Sequence, residues 1–193
     1  FHAMFEEEVP LDTISFNACI SACEGLGLWQ TALQLLFRAE SARLADVVSY
    51  NATISCCEKG AQWQVALSLL SFLRLLSMST VVSFSAAMSA CGNGKQWIEA
   101  LMLQLELETV GLQCNVISHN AALSACEKGD EWLRACHLLC HGFSQLQRSL
   151  VSFNSVISAC EKGTVWSNAL ALHRGAQERH TELDCISFIA ALG

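Results

Sequence analysis

The chain has 193 residues, 52% of them hydrophobic and 15% charged, with a single proline and a formal net charge of −7. That balance suits a helical protein whose surface is largely taken up by packing. It counts against non-specific binding of RNA or DNA, which needs a basic surface. Eleven cysteines, an odd number set mostly in apolar helical stretches, read as free buried thiols in a reducing compartment rather than as a disulfide framework. β-Branched residues cluster only in short runs such as Val81-Val82 and Val116-Ile117, so few strands are expected. No secretory signal or Arg-rich transit peptide is visible in this stretch. The apolar segment from Val65 to Phe84 is interrupted by Arg74 and several serines, and the expectation is a soluble protein with no membrane partner.

Self-similarity organises the predicted elements. Tryptophans at Trp29, Trp63, Trp97, Trp132 and Trp166 are spaced 34, 34, 35 and 34 residues apart. Cys23, Cys57, Cys91, Cys126 and Cys160 keep the same steps, as do Ala32, Ala66, Ala100, Ala135 and Ala169. An aromatic followed by a small polar residue recurs as Phe16-Asn17, Tyr50-Asn51, Phe84-Ser85 and Phe153-Asn154, with His119-Asn120 filling the same slot. Residues 1–12 read as the tail of an earlier unit, followed by units at 13–46, 47–80, 81–115, 116–149 and 150–184. Residues 185–193 read as the start of another, so the chain looks cut from a longer array at both ends. In each unit a first helix is expected to start near Ser15, Ser49, Ser83, Ser118 or Ser152, a residue type that caps helices. It is expected to end at Gly60, Gly94, Gly129 or Gly163 in the left-handed conformation, repeat one having Leu26 between Gly25 and Gly27 instead. A second helix is expected from each tryptophan onward, with Trp63, Ala66, Leu67 and Leu70 at helical spacing and the tryptophan as a large buried surface. The odd residue of the longer units falls around the end of the second helix. One unit cannot bury its apolar face alone, so neighbours must stack. The fold class is therefore all-α, a solenoid of tandem helix-turn-helix repeats.

The stretch Val-Ser-Tyr-Asn-Ala-Thr-Ile-Ser, followed by Glu-Lys-Gly and Trp-Gln-Val-Ala-Leu, resembles the pentatricopeptide repeat (PPR), whose unit is typically 35 residues. The resemblance covers nearly the whole chain and implies a right-handed α-solenoid superhelix. Tetratricopeptide repeats share the period but place their signature residues differently. The resemblance implies single-stranded RNA as partner, read at one base per repeat. The residue after the aromatic and the last residue of the same unit would form the reading pairs: Asn17 with Asp46, Asn51 with Thr80, Ser85 with Asn115, Asn120 with Ser149, and Asn154 with Asp184. Under the family's code these imply 5′-U-Y-A-C-U-3′, with Y a pyrimidine. Ile14, Val48, Val82, Ile117, Val151 and Ile186, three residues before the reading position, would sandwich the bases. Lys59, Lys128 and Lys162 would approach the RNA backbone, with Gly25 and Asn93 in that place in repeats one and three. The resemblance further implies a role in organellar RNA processing, stability, editing or translation, in a mitochondrion or chloroplast.

Other readings stand beside these. The recurrent asparagine also suits a helix start, where short polar side chains bond the backbone. Cys136-His137 and Cys140-His141 have metal-like spacing, but Cys136 shares its register with Leu33, Leu67, Leu101 and Leu170, a core position, and no metal is expected. Gly92-Asn93-Gly94-Lys95 lacks the full spacing and the Ser or Thr of a phosphate loop and reads as a turn. No nucleophile, base and carboxylate converge, so neither an enzyme nor a small-molecule substrate or cofactor is expected. The acidic balance keeps a protein–protein interaction scaffold without RNA binding as the alternative function, since counterion release supplies much of ordinary RNA affinity.

Overall fold

The computed structural model describes residues 12–141 and 149–164. Trp166, Ala169, Asp184 and Ile186, together with the expected terminal partial units, lie outside the described residues. All regular structure among the described residues is helical: α1 (Thr13–Leu26), α2 (Trp29–Ser41), α3 (Val47–Lys59), α4 (Trp63–Leu75), α5 (Val81–Asn93), α6 (Trp97–Thr109), α7 (Val116–Lys128), α8 (Trp132–His141) and α9 (Leu150–Lys162). Each second helix begins at its tryptophan, as the register required. The apolar segment Val65 to Phe84 is divided between α4 and α5, and no helix among the described residues is long and apolar enough to cross a membrane.

The first helices start two residues earlier than expected, because the cap is not the serine. Asp12, Asp46, Thr80, Asn115 and Ser149 are the caps, each accepting from the backbone N–H of the serine three residues on. In the last four the serine hydroxyl in turn accepts from the cap's own N–H, at 3.0–3.2 Å, which completes a reciprocal capping box. The residue closing one repeat therefore opens the first helix of the next.

The helix ends also differ from expectation. Gly60, Gly94, Gly129 and Gly163 have φ between −77° and −86°, and the left-handed residue is the next one: Ala61, Lys95, Asp130 and Thr164, with φ of 54–60°. Gln62 N–H bonds Cys57 O and Ala61 N–H bonds Glu58 O, the crossed pattern that closes a helix on a left-handed residue. Only in repeat one is that left-handed position a glycine, Gly27, at φ 64°.

Successive first helices pack on one another, α1 on α3 on α5 on α7 on α9, and each second helix sits between its own first helix and the next. The backbones of the second helices stand farther apart, with Arg74 of α4 reaching across to pair with Glu106 of α6. The layer with the closer spacing lies on the inside of the curve, so the first helices form the inner layer of the solenoid. Their small residues allow the approach: Ala87, Ala90, Ala122, Ala125 and Cys91 are fully buried, and a side chain on Gly92 would come within 3.1 Å of the Ala125 backbone. The alanines after each tryptophan, Ala32, Ala66, Ala100 and Ala135, are fully buried, whereas the tryptophans themselves are half-buried. The extra residue of repeat three lies in the loop after α6, where Leu112-Gln113-Cys114 replaces the two-residue Met78-Ser79 between the helix-terminal turn and the next cap.

Candidate nucleic-acid interface

Because each cap sits where two repeats meet, it lies beside the polar residue of the preceding first helix. Asn17 Nδ2 donates to Asp46 Oδ1 at 3.1 Å, and Ser49 Oγ donates to Asn17 Oδ1 at 2.5 Å. Asn120 Nδ2 donates to Ser149 Oγ at 3.1 Å, and Ser152 Oγ donates to Asn120 Oδ1 at 2.7 Å. In repeat two Ser83 Oγ donates to Asn51 Oδ1 at 2.6 Å and lies 3.0 Å from Thr80 Oγ1, linking the pair through one hydroxyl. Repeat three is different: buried Ser85 turns its hydroxyl onto Val81 O of its own helix at 2.7 Å, and no bond joins it to Asn115. The geometry thus brings together Asn17 with Asp46 and Asn120 with Ser149, bridges Asn51 to Thr80, and leaves Ser85 and Asn115 unbonded. Asn154 is half-buried at the matching place in α9, while its expected mate Asp184 lies outside the described residues. Partial burial works to raise the Asp46 carboxyl pKa, but bonds from the Ser49 backbone, Asn17, Ser49 Oγ and the Val48 backbone outweigh it and hold the group below its ordinary 3.8.

One residue before each N3 serine stands an exposed β-branched side chain: Ile14 (76% exposed), Val48 (55%), Val82 (60%), Ile117 (69%) and Val151 (56%). Each lies three residues before the reading position, on the same helix face. The inner layer therefore carries an apolar ladder alternating with amide and hydroxyl groups. Ile186 lies outside the described residues.

The lysines stand at the other end of the first helices, roughly 12 Å along the axis from the asparagines at 1.5 Å per residue. Each reaches back to the preceding repeat: Lys59 to Glu24 at 3.8 Å, Lys128 to Asn93 Oδ1 at 2.5 Å, and Lys162 to Glu127 at 3.3 Å. Asn93 also donates to Glu58 O at 2.9 Å, so it ties Lys128 to repeat two. Lys59, Lys128 and Lys162 line one shallow hollow of about 480 Å³ together with Lys95, Glu58 and Asp130. Lys95, in the turn after α5, is a cation that sequence reading had assigned only to a turn; the register of the other lysines gives no sign of it.

Cys136 is half-buried against the core rather than within it, its sulfur 3.6 Å from that of Cys160, and His137 and Cys140 are exposed. His119, in the aromatic slot, is 1% exposed; Gln104 Nε2 donates to its Nδ1 at 3.0 Å and its Nε2 donates to Leu138 O at 3.3 Å.

Comparison with known proteins follows the same geometry. Residues 14–44 match the family model of the PPR repeat. The fold resembles the PPR domain of Arabidopsis thaliana protein-only RNase P 1, solved in complex with tRNA, with a TM-score of 0.69 at 11% identity over 88% of this chain and 91% of that one. It also resembles the pentatricopeptide repeat protein PPR10 from maize, with a TM-score of 0.63 at 20% identity. That likeness covers 99% of this chain and 27% of the maize chain, so the residues here span about a quarter of its length. No curated protein matches in sequence. The described residues thus form an all-α solenoid with the fold of these PPR proteins, and the first described helical hairpin matches the PPR repeat model.

Proposed function

We propose that the chain binds single-stranded RNA sequence-selectively, one base per repeat, along the inner layer of first helices. The observation that carries this reading is the amide joined to its cap in repeats one, two and four, directly or through one hydroxyl, flanked by exposed aliphatic side chains on which flat bases can lie. The chemistry of each pair matches a base edge. In repeat one, Asn17 offers an N–H to a uracil carbonyl while the Asp46 carboxylate accepts from uracil N3–H. In repeat four the Ser149 hydroxyl can instead donate to cytosine N3. Thr80 can donate or accept, which suits either pyrimidine. In repeat three the Ser85 oxygen accepts from the adenine amino group and the Asn115 amide donates to N1. The resulting target is 5′-U-Y-A-C-U-3′, its last base resting on Asn154 with Asp184. Family likeness supports placing this binding in organellar RNA processing, stability, editing or translation, as a binding rather than catalytic part.

With a net charge of −7 and Lys59, Lys128 and Lys162 engaged with neighbouring repeats, the groove relies on stacking and base edges more than on phosphate contacts. Binding should therefore fall only shallowly with salt. The test is a titration of the chain against labelled 5′-UUACU RNA and a scrambled strand at moderate salt. Equal affinity for the two would overturn sequence reading. One observation favours a protein scaffold instead: Ile98, Met102 and Leu105 form an exposed stripe along α6, where α4 has Gln64, Ser68 and Ser71. Binding of neither RNA would favour that alternative.

A further inference from the structure

We propose that the buried serines Ser49, Ser83 and Ser152 are positioning residues for base recognition: each fixes which end of the preceding repeat's asparagine amide is offered to the RNA. The inference rests on the RNA-reading function proposed above and adds the group that sets its chemistry.

An asparagine side chain has a donor end and an acceptor end, and a half-turn about its terminal torsion exchanges them. A residue free to turn reads donors and acceptors alike. Asn17, Asn51 and Asn120 are not free. Ser49, Ser83 and Ser152 are fully buried, and each hydroxyl oxygen accepts from the N–H of its own helix cap at about 3.2 Å. The hydroxyl proton points to the neighbouring repeat, onto Oδ1 of Asn17 (2.5 Å, with Asp46 Oδ1 as a longer second acceptor at 3.0 Å), Asn51 (2.6 Å) and Asn120 (2.7 Å). These separations suit O–H···O bonds, which are shorter than the N–H···O bond a turned amide would form. With Oδ1 occupied, the amide offers an N–H to the base, and a pyrimidine carbonyl or ring nitrogen is its complement.

Repeat three separates this role from helix capping. Ser85 stands there in place of asparagine, and Ser118 turns its hydroxyl onto Asn115 O at 2.9 Å while still accepting from the cap N–H at 3.0 Å. The cap is complete without the bond to the preceding repeat. That bond is made where there is an amide to hold.

Repeat two is the sharpest test, because Ser83 is the partner recorded for the Asn51 amide, whereas Asn17 and Asn120 also bond their caps. The full chain carrying Ser83→Ala is titrated with 5′-UUACU strands in which the second base is varied among all four. The preference for a pyrimidine over a purine at that base should fall about fivefold or more, the lower end of what a good side-chain–base pair contributes. Preferences at bases one, three and four should hold. Ser118→Ala loses an equivalent capping bond and should leave the preference for adenine at base three unmoved. Ser152→Ala repeats the test at base four in an independent interface. Without RNA, the side-chain amide signals of Asn51 in a 15N-correlated NMR spectrum should move toward those of a solvent-exposed asparagine in Ser83→Ala. An unmoved amide signal would overturn the lock itself. A moved signal with unchanged base preference would overturn its part in specificity, as would an equal loss at base three in Ser118→Ala. Wild-type chain with no preference at any base would overturn the RNA reading, and the amide signals would then still decide whether the lock exists.

Discussion

The indole of Trp63 fills the space that a side chain on Gly94 would need: a Cβ there would lie 2.4 Å from Trp63 Cδ1. Gly60, Gly129 and Gly163 stand in the same relation to Trp29, Trp97 and Trp132, at 2.4–2.5 Å. The glycine column is thus kept by the tryptophan of the preceding repeat, and it is not the source of left-handed backbone. Gly94→Ala should destabilise the array by about 1–3 kcal/mol through overpacking. Gly25→Ala, in α1 with no atom within 4 Å of the added carbon, should be neutral or stabilise by about 0.5 kcal/mol. Ala61→Gly relieves the left-handed residue at φ 54° and should stabilise by about 1 kcal/mol. Urea denaturation of the three variants checks all of this, and a neutral Gly94→Ala would remove the packing account.

Period and helix order were legible because they are written in local residue types: tryptophan at each second helix, alanine three later, turn residues between. What was not legible depends on neighbours a whole repeat away. A helix-terminal glycine ordinarily signals left-handed backbone, and nothing near Gly94 in the chain announces the indole of Trp63. The uniform serine column looked like the cap because serine is a capping residue and the column never varies. The true caps, Asp12, Asp46, Thr80, Asn115 and Ser149, vary in type, and from Asp46 onward the residue types at these places point equally to base reading. Every one of them is nonetheless a capping residue. The recurrent asparagines Asn17, Asn51 and Asn120 were legible as a column. Their bonds to Ser49, Ser83 and Ser152 cross between repeats and have no signature in the spacing.

Gln104 and His119 form a polar pair where other repeats have apolar ones. Gln104 stands in register with the buried Leu36, Leu70 and Leu139, and His119 with Phe16, Tyr50, Phe84 and Phe153. Gln104 Oε1 is buried without a partner. Burial lowers the His119 pKa below its ordinary 6.5, against the opposing influence of its bond to Leu138 O and the charge of Glu108. The unfolded chain then binds this proton more readily than the folded one, so stability is lost as pH falls from about 6.5 toward the folded value. His119→Phe alone strands the Gln104 amide and should cost about 1–3 kcal/mol. Gln104→Leu with His119→Phe should recover that loss and flatten the melting temperature between pH 7 and 5.5. A double variant as pH-sensitive as the parent would place the titration elsewhere.

Asp46 serves two repeats at once, capping α3 through Ser49 N–H at 2.9 Å and holding Asn17 at 3.1 Å. Removing the cap in Asp46→Ala should cost about 1 kcal/mol. Asp46→Asn keeps an acceptor for Ser49, as Asn115 does for Ser118, and should stay within about 0.5 kcal/mol of the parent. Its effect should fall on RNA instead, since an amide cannot accept from uracil N3–H as the carboxylate does without turning its donor away. Paired melts and titrations separate the two roles, and an Asp46→Asn variant with undiminished preference for uracil at base one would confine Asp46 to capping.

Repeat three can be rewritten with the parts the other repeats already use. Ser85 and Asn115 occupy the places held by Asn17 and Asp46, and Ser118 stands where Ser49 stands, with its hydroxyl on Asn115 O. Introducing Ser85→Asn and Asn115→Asp supplies an amide for that hydroxyl and a carboxylate that still caps α7. The third base should change from adenine to uracil, by a factor of about tenfold or more between the two strands. Ser85→Asn alone, lacking the carboxylate, should show a weaker shift, and adding Ser118→Ala to the double variant should erode it by releasing the new amide. Affinities for strands differing only at base three read each step. A third-base preference indifferent to the double substitution would make these positions structural, holding one repeat to the next without reading RNA.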